Sequence, residues 1–364
     1  MANKKIKIGV LFGGKSAEHE VSLISAKNVI NALDKKKYEV IPIGIDKNGK
    51  WLLSNTSNYL LNSNNPKLIK LNKSNSEVAL YAQGEGALVP VKGGSKINGK
   101  IDVIFPVMHG PFGEDGSMQG LLKLAGVPFV GPSVLGSAVG MDKDVMKRLF
   151  RDAGIPIGKF IALKKSEKIS FEKVKKELGM PVFVKPANLG SSVGINKVRN
   201  EKEWANALKD AFLYDTKIVI EENINGREIE CAVLGNEKPI ASIPGEIISN
   251  ADFYSYDSKY IDDKSVCEIP AKISKEAAQK VQNIAVQVFK VLCCEGMGRV
   301  DFFLKGNGEV IVNEINTIPG FTSISMYPKL WEASGLPLAK LLDKLIFFAI
   351  ERFKREQKLK TTVK

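Results

Sequence analysis

Three residues late in the chain carry the clearest chemistry. Asp301 lies in Gly298-Arg299-Val300-Asp301, and Glu314 and Asn316 stand two apart in Val312-Asn313-Glu314-Ile315-Asn316-Thr317. On an extended strand that spacing puts both side chains on one face, and an antiparallel neighbour can bring Asp301 opposite them. Two carboxylates and an amide oxygen are hard ligands without a full cage. Such a set suits Mg²⁺, with Mn²⁺ as the alternative, the remaining ligands coming from water and phosphate. A solvated polar strand face flanked by Val300, Phe302, Ile311 and Ile315 has the same pattern.

A phosphate site reads upstream. The strand Pro181-Val182-Phe183-Val184-Lys185 stops at Pro186, which keeps Lys185 extended, and Asn188-Leu189-Gly190-Ser191-Ser192-Val193-Gly194 follows. A hairpin of this composition can close its amides and hydroxyls over anionic oxygens while Lys185 supplies a point charge. Between the two sites, Val219-Ile220-Glu221-Glu222-Asn223-Ile224-Asn225-Gly226-Arg227-Glu228 reads as a strand running into a short linker. Its backbone could pair with an adenine edge, and Glu228 could take ribose hydroxyls. By contrast, Gly9-Val10-Leu11-Phe12-Gly13-Gly14-Lys15-Ser16 fits the phosphate-loop pattern in letters only, because Val10, Leu11 and Phe12 continue an apolar strand.

These groups need a scaffold, and 364 residues allow two or three domains. Ile6-Lys7-Ile8-Gly9-Val10-Leu11-Phe12 predicts a buried strand, followed by a glycine turn, a helix carrying Leu23, Ala26, Ile30 and Leu33, and a strand over residues 38–45. That is a right-handed parallel unit. Residues 46–100, rich in Asn, Ser, Lys and Gly, predict short strands and loops. Short strands then alternate with helices, one of them continuous through Leu135, Ala138, Val145 and Leu149. The expected organisation is 1–132, 133–226 and 227–364.

Composition excludes several classes. With 44% hydrophobic and 26% charged residues the chain reads as a globular protein, and no apolar run reaches the ~20 residues of a membrane helix. The basic start runs straight into a strand, so export is not expected. Four cysteines without CxxC spacing, and only two histidines, fit reduced thiols in a cytoplasm rather than a zinc site. The net charge of +13 comes mostly from scattered lysines, with one basic end over residues 354–364 and no aromatic-interleaved stripe, so no nucleic-acid partner is expected.

The carboxylate pair of strands, the lysine-linked hairpin and the linker together resemble the ATP-grasp superfamily over residues 141–348. Six motifs in order extend the likeness to the D-alanine-D-alanine ligase family. They are Gly13-Gly14-Lys15-Ser16-Ala17-Glu18-His19-Glu20-Val21-Ser22, His109-Gly110-Pro111-Phe112-Gly113-Glu114-Asp115-Gly116, Met141-Asp142-Lys143, Gly190-Ser191-Ser192-Val193-Gly194, Tyr256-Asp257-Ser258-Lys259-Tyr260, and Asn313-Glu314-Ile315-Asn316-Thr317-Ile318-Pro319-Gly320-Phe321-Thr322.

The resemblance implies a mixed α/β and α+β chain: an N-terminal Rossmann-like parallel-sheet domain, then a two-lobed ATP-grasp fold. It implies ATP-dependent joining of two D-alanines through an acyl phosphate, for peptidoglycan precursors, in a cytoplasmic homodimer that does not insert into membranes. A ligase taking D-lactate or D-serine second is the alternative, and Tyr260 favours the dipeptide. By the same resemblance, Lys143, Lys185, Ser192, Glu221, Ile224, Glu228 and Lys259 bind ATP, and Asp301, Glu314 and Asn316 bind magnesium. Arg299 and the Gly320 amide face the tetrahedral oxyanion, although Arg299 could equally pair with Asp301 or Glu314. Glu18, Ser191 and Tyr260 close over the first substrate beside His109, and Ser325 with the Met326 amide takes the second substrate's carboxylate. Asn223 stands where relatives often carry an aromatic residue.

Overall fold

The structure, a computed structural model, describes residues 4–63, 65, 68–72, 76–91, 99–248 and 266–363. The N-terminal unit is built around β1 (Ile6–Gly13), an almost wholly buried strand. After helix α1 (His19–Ala32), β2 (Tyr38–Ile45) pairs with it in parallel. Strands β3 (Trp51–Leu53), β6 (Ser76–Leu80) and β7 (Leu88–Pro90) extend one edge, and β8 (Val103–Val107) closes the other; β4 (Leu60–Leu61) and β5 (Lys70–Leu71) form a separate ribbon.

Only the β2-β1-β8 centre is parallel, since β3, β6 and β7 run antiparallel. The expected parallel unit is therefore present in β1, β2 and β8, and the short strands of residues 46–100 extend it antiparallel. The cause is connection length: β2 returns as β3 through a turn in which Asp46 accepts bonds from the amides of Asn48 and Lys50, too short for a parallel crossover.

After α2 (Ser117–Leu124), the expected single helix is two, α3 (Val134–Met141) and α4 (Lys143–Asp152). Asp142, in extended backbone, ends the first and caps the second, its Oδ1 accepting from the amides of Asp144 and Val145 at 3.1 Å. This places Lys143 at a helix start beside the next sheet.

That sheet orders β11 (Asn196–Val198), β10 (Val182–Pro186), β12 (Lys217–Glu222) and β9 (Phe160–Lys164), all antiparallel, with α5 (Phe171–Leu178) and α6 (Glu201–Tyr214). It has its own core, including Val174, Val182, Trp204 and Ile220. The third sheet is centred on β13 (Arg227–Gly235). β14 (Ile240–Ala241) pairs with it, and the order is β16 (Val266–Glu268), β15 (Gly245–Ile248), β13, β17 (Gly296–Leu304), β18 (Val310–Asn316).

Helix α7 (Lys275–Val291) covers that sheet, while α8 (Met326–Ala333) and α9 (Leu338–Glu356) pack toward the N-terminal unit. One buried cluster runs from Phe12 and Phe105 through Phe321 and Tyr327 to Leu342, so the first and last sections share a core. Phe321 sits edge-on to Phe105 and Tyr327, at 5.9 and 5.8 Å between ring centroids. No helix among the described residues is long and apolar enough to cross a membrane.

Candidate active site

Strands β17 and β18 present the carboxylates. Along β17, Val300, Phe302 and Leu304 are buried, while Arg299 and Asp301 point to the other face. The register pairs Arg299 with Asn316 and Asp301 with Glu314, then jumps to Phe302 with Val312, leaving Asn313 as an inserted bulge residue. Such bulges re-aim side chains beside functional sites. Asn316 Nδ2 donates to Asp301 Oδ2 at 2.9 Å. Asp301, Glu314 and Asn316 thus form one patch of hard oxygen donors, a chemistry that fits Mg²⁺ or Mn²⁺.

Opposite this patch, Lys143 is almost buried, donates to Leu189 O at 2.8 Å and lies 3.2 Å from Glu314 Oε2. Lys185 reaches Glu221 Oε2 at 2.7 Å, and Lys147, one turn beyond Lys143, lies 3.1 Å from Glu221 Oε1. Burial alone would raise the Glu221 carboxyl, but Lys147 and Lys185 hold it down at about 2. Lys185 is pushed above the ordinary lysine range: burial works against its charge, and Glu221 and Glu314 outweigh it. Lys143, Lys185, Ser192, Glu221, Ile224, Glu228, Asp301 and Glu314 line a single cleft, with Phe183 and Lys197 on its wall.

The hairpin between β10 and β11 overhangs this cleft. Ser191 and Ser192 adopt φ of 52° and 61°, unusual for residues other than glycine and a mark of backbone shaped for a task. Ser191 Oγ donates to Glu18 Oε1, tying the hairpin to the turn before α1.

A second, smaller cleft adjoins the first. Glu18, His109, Glu114, Arg299, Asn316, Gly320, Ser325 and Met326 line it, and Gly190, Ser191, Glu230 and Glu314 belong to both. His109 is buried, and its Nδ1 bonds Ile318 O at 3.1 Å. Burial lowers its basicity, outweighing the opposing pull of Glu18, so a neutral ring presents Nε2 as an acceptor. Glu114 accepts from Gly110 N at 2.9 Å and from Ile318 N at 3.2 Å. Both ends of the Ile318 amino-acid unit, N–H and C=O, are therefore held by one loop of the N-terminal unit. Burial, with Glu18 nearby, pushes the Glu114 carboxyl up to about 8.

Gly110, at φ +74°, leaves no room for a side chain: a Cβ would stand 2.8 Å from Glu18 Oε2 and Ser16 Oγ. Arg299 forks onto Asp301, Nε to Oδ1 at 2.8 Å and Nη2 to Oδ2 at 2.7 Å, and its Nε lies 2.9 Å from Glu230 Oε2. Ser325 precedes α8, its Oγ accepting from the Thr322 amide at 3.0 Å, and Met326 opens the helix.

Comparison with known proteins fits this geometry. Residues 7–132 match the model described as the D-ala D-ala ligase N-terminus, and residues 149–347 the D-ala D-ala ligase C-terminus. The chain belongs to the D-alanine-D-alanine ligase family. It is 54% identical over 361 residues to the D-alanine-D-alanine ligase of Oceanobacillus iheyensis, covering 98% of this chain and 99% of that one. It is 52% identical to D-alanine-D-alanine ligase A of Escherichia coli, covering 99% and 100%. The D-alanine-D-alanine ligase structure from Coxiella burnetii superposes with a TM-score of 0.84 at 41% identity, covering 97% and 96%. A D-Ala:D-Ser ligase structure from Enterococcus faecalis gives 0.83 at 38%, covering 95% and 100%. The fold is accordingly the ATP-grasp arrangement of this ligase family, preceded by the mixed α/β unit.

Of the residues singled out from sequence, Lys259 and Tyr260 lie outside the described residues, and the others line one or both clefts. Sequence reasoning missed Lys147, Glu114 and Glu230. Each had a signal: Lys147 is four residues after Lys143 on one helix, Glu114 lies inside a quoted motif, and Glu230 alternates with Glu228 on a strand. Lys15 is exposed at the turn after β1, far from the geometry of a phosphate loop.

Proposed function

We propose that the chain joins two D-alanines to D-alanyl-D-alanine at the expense of ATP, through a D-alanyl phosphate, for peptidoglycan precursors. One observation carries this reading beyond family membership: the two clefts meet at Ser191, Glu230 and Glu314, so a γ-phosphate in one adjoins a carboxylate in the other.

In this assignment the larger cleft takes ATP. Glu221 and the backbone near Ile224 receive adenine, and Glu228 the ribose. Lys143, Lys185, Lys259 and the hairpin at Ser192 receive the phosphates. Asp301, Glu314 and Asn316 would hold Mg²⁺, which when bound neutralises charge on the phosphate oxygens. A carboxylate oxygen of the first D-alanine bonds to the γ-phosphorus as the bond to ADP breaks. Glu18 and the His109 Nε2 acceptor take the ammonium of that D-alanine, and Ser191 and Tyr260 close over it.

The amine of the second D-alanine then attacks the acyl carbon, and phosphate leaves. Arg299 and the Gly320 amide stabilise the oxyanion formed on the way. Ser325 and the Met326 amide, at a helix start, suit the second carboxylate. The lobes 1–132, 133–226 and 227–364, the homodimer and a cytoplasmic location complete the proposal.

Phosphate release from ATP and Mg²⁺ with D-alanine, L-alanine, or D-alanine plus D-lactate or D-serine, with products weighed by mass spectrometry, tests it. D-alanine-dependent release yielding the dipeptide is expected. Hydrolysis independent of amino acid would sink the reading, and a mixed product as the main species would reassign the second substrate.

A further inference from the structure

Arg299 is shared between two carboxylates with different prospects. The Nε hydrogen is directed at Asp301 Oδ1, 2.8 Å away, while Glu230 Oε2 stands 2.9 Å from the same nitrogen. Strand register fixes the trio: Glu230 on β13 is directly opposite Asp301 on β17, and Arg299 is two residues along on the same face. Glu230 is also buried, at 8% exposure, and lines both clefts. An isolated carboxylate would be costly there, so its placement beside a guanidinium is a built feature of the sheet.

This inference rests on the ligase reading, in which Asp301 holds a divalent cation and Arg299 acts on the acyl carbon. A cation on Asp301 competes with the fork for the same two oxygens. We infer that Glu230 is the positioning residue for Arg299: it receives the guanidinium when Asp301 turns to the cation, so that metal loading does not leave Arg299 unanchored. Without the Glu230 charge, Asp301 is the remaining anchor among these two, and Arg299 and the cation contend for it.

The test is a double-mutant cycle on Mn²⁺ binding to the full chain with ADP present, followed by the electron paramagnetic resonance of free Mn²⁺, where turnover plays no part. Glu230→Gln, close in shape, is expected to weaken Mn²⁺ binding about tenfold, an effect of ~1.4 kcal/mol. In an Arg299→Met background the same substitution is expected to change it less than about twofold, because no guanidinium then competes. Melting curves of the metal-free variants establish that each is folded, and Glu230→Met, which also removes the charge, serves if Glu230→Gln is not.

A tenfold loss in both backgrounds means that Glu230 acts on the cation directly and overturns the inference. So does no loss in either. Asp301→Asn separates the two levels: if Mn²⁺ binding ignores it, the metal assignment itself is wrong and this inference falls with it.

Discussion

In the larger cleft, groups of opposite charge face one another between helix α4 and the strands: Lys143 with Glu314, Lys147 and Lys185 with Glu221, while Asp301 and Glu230 meet Arg299 where the smaller cleft begins. In the smaller cleft the groups are held largely by backbone, His109 by Ile318 O and Glu114 by two amides, and they come from segments more than 200 residues apart. The first arrangement suits a highly charged nucleotide, for which ion pairs can be exchanged. The second suits a small zwitterion, for which shape and a fixed proton pattern discriminate. Charge is supplied by regular strands and a helix, and geometry by loops.

The sharpest way to break this comparison is to remove a carboxylate from the larger cleft. Asp301→Ala or Glu314→Ala is expected to cut phosphate release on the order of a thousandfold, as losses of transition-state charge stabilisation do. Retention of turnover within tenfold would remove the cation site from the reaction.

A smaller effect is expected from crowding the other cleft. Gly110→Ala forces a Cβ against Glu18 at a positive φ, a strain of roughly 1–3 kcal/mol. The KM for D-alanine should rise about tenfold while that for ATP stays put. Equal rises in both would mean that the clefts are not independent.

The Glu114 carboxyl gives a pH signature. Its folded value of about 8 lies above the ordinary 4.5, so the unfolded chain sheds the proton first and stability falls as pH rises from about 4.5 to about 8. The slope from this group is at most about 1.4 kcal/mol per pH unit, and Glu114→Gln should flatten it in denaturant titrations at pH 5.5 to 7.5. An unchanged slope would show that the acid is not held protonated. Least of all, Lys15→Ala on the exposed turn should alter stability by under ~0.5 kcal/mol and leave turnover intact. Loss of ATP-driven turnover would revive the phosphate-loop reading.

The same contrast governs what could be read from sequence. Asp301, Glu314 and Asn316 were legible because strand alternation converts spacing into a shared face, and β17 and β18 obey it apart from the bulge at Asn313. Lys185 was legible as a strand end. The pairing of Glu230 with Arg299 was not, since β13 lies some 70 residues upstream and nothing local announces its neighbour. The smaller cleft was readable only through its family motifs, because no periodicity links residue 18 to 109 or 318. The break at Asp142 was missed because its apolar flanks share one helical pattern, and only the capping bonds interrupt it.

The double hold on Ile318 makes the smaller cleft a gauge of how the lobes are seated. His109 and Glu114 ride on the N-terminal sheet and Ile318 on the C-terminal one, so a swing of either body strains two bonds at once. Releasing the Ile318 carbonyl also frees the imidazole to exchange its tautomer, and with it the polarity of the edge offered to substrate. The smaller cleft thus keeps its Nε2 acceptor in place only while the two ends of the chain are docked.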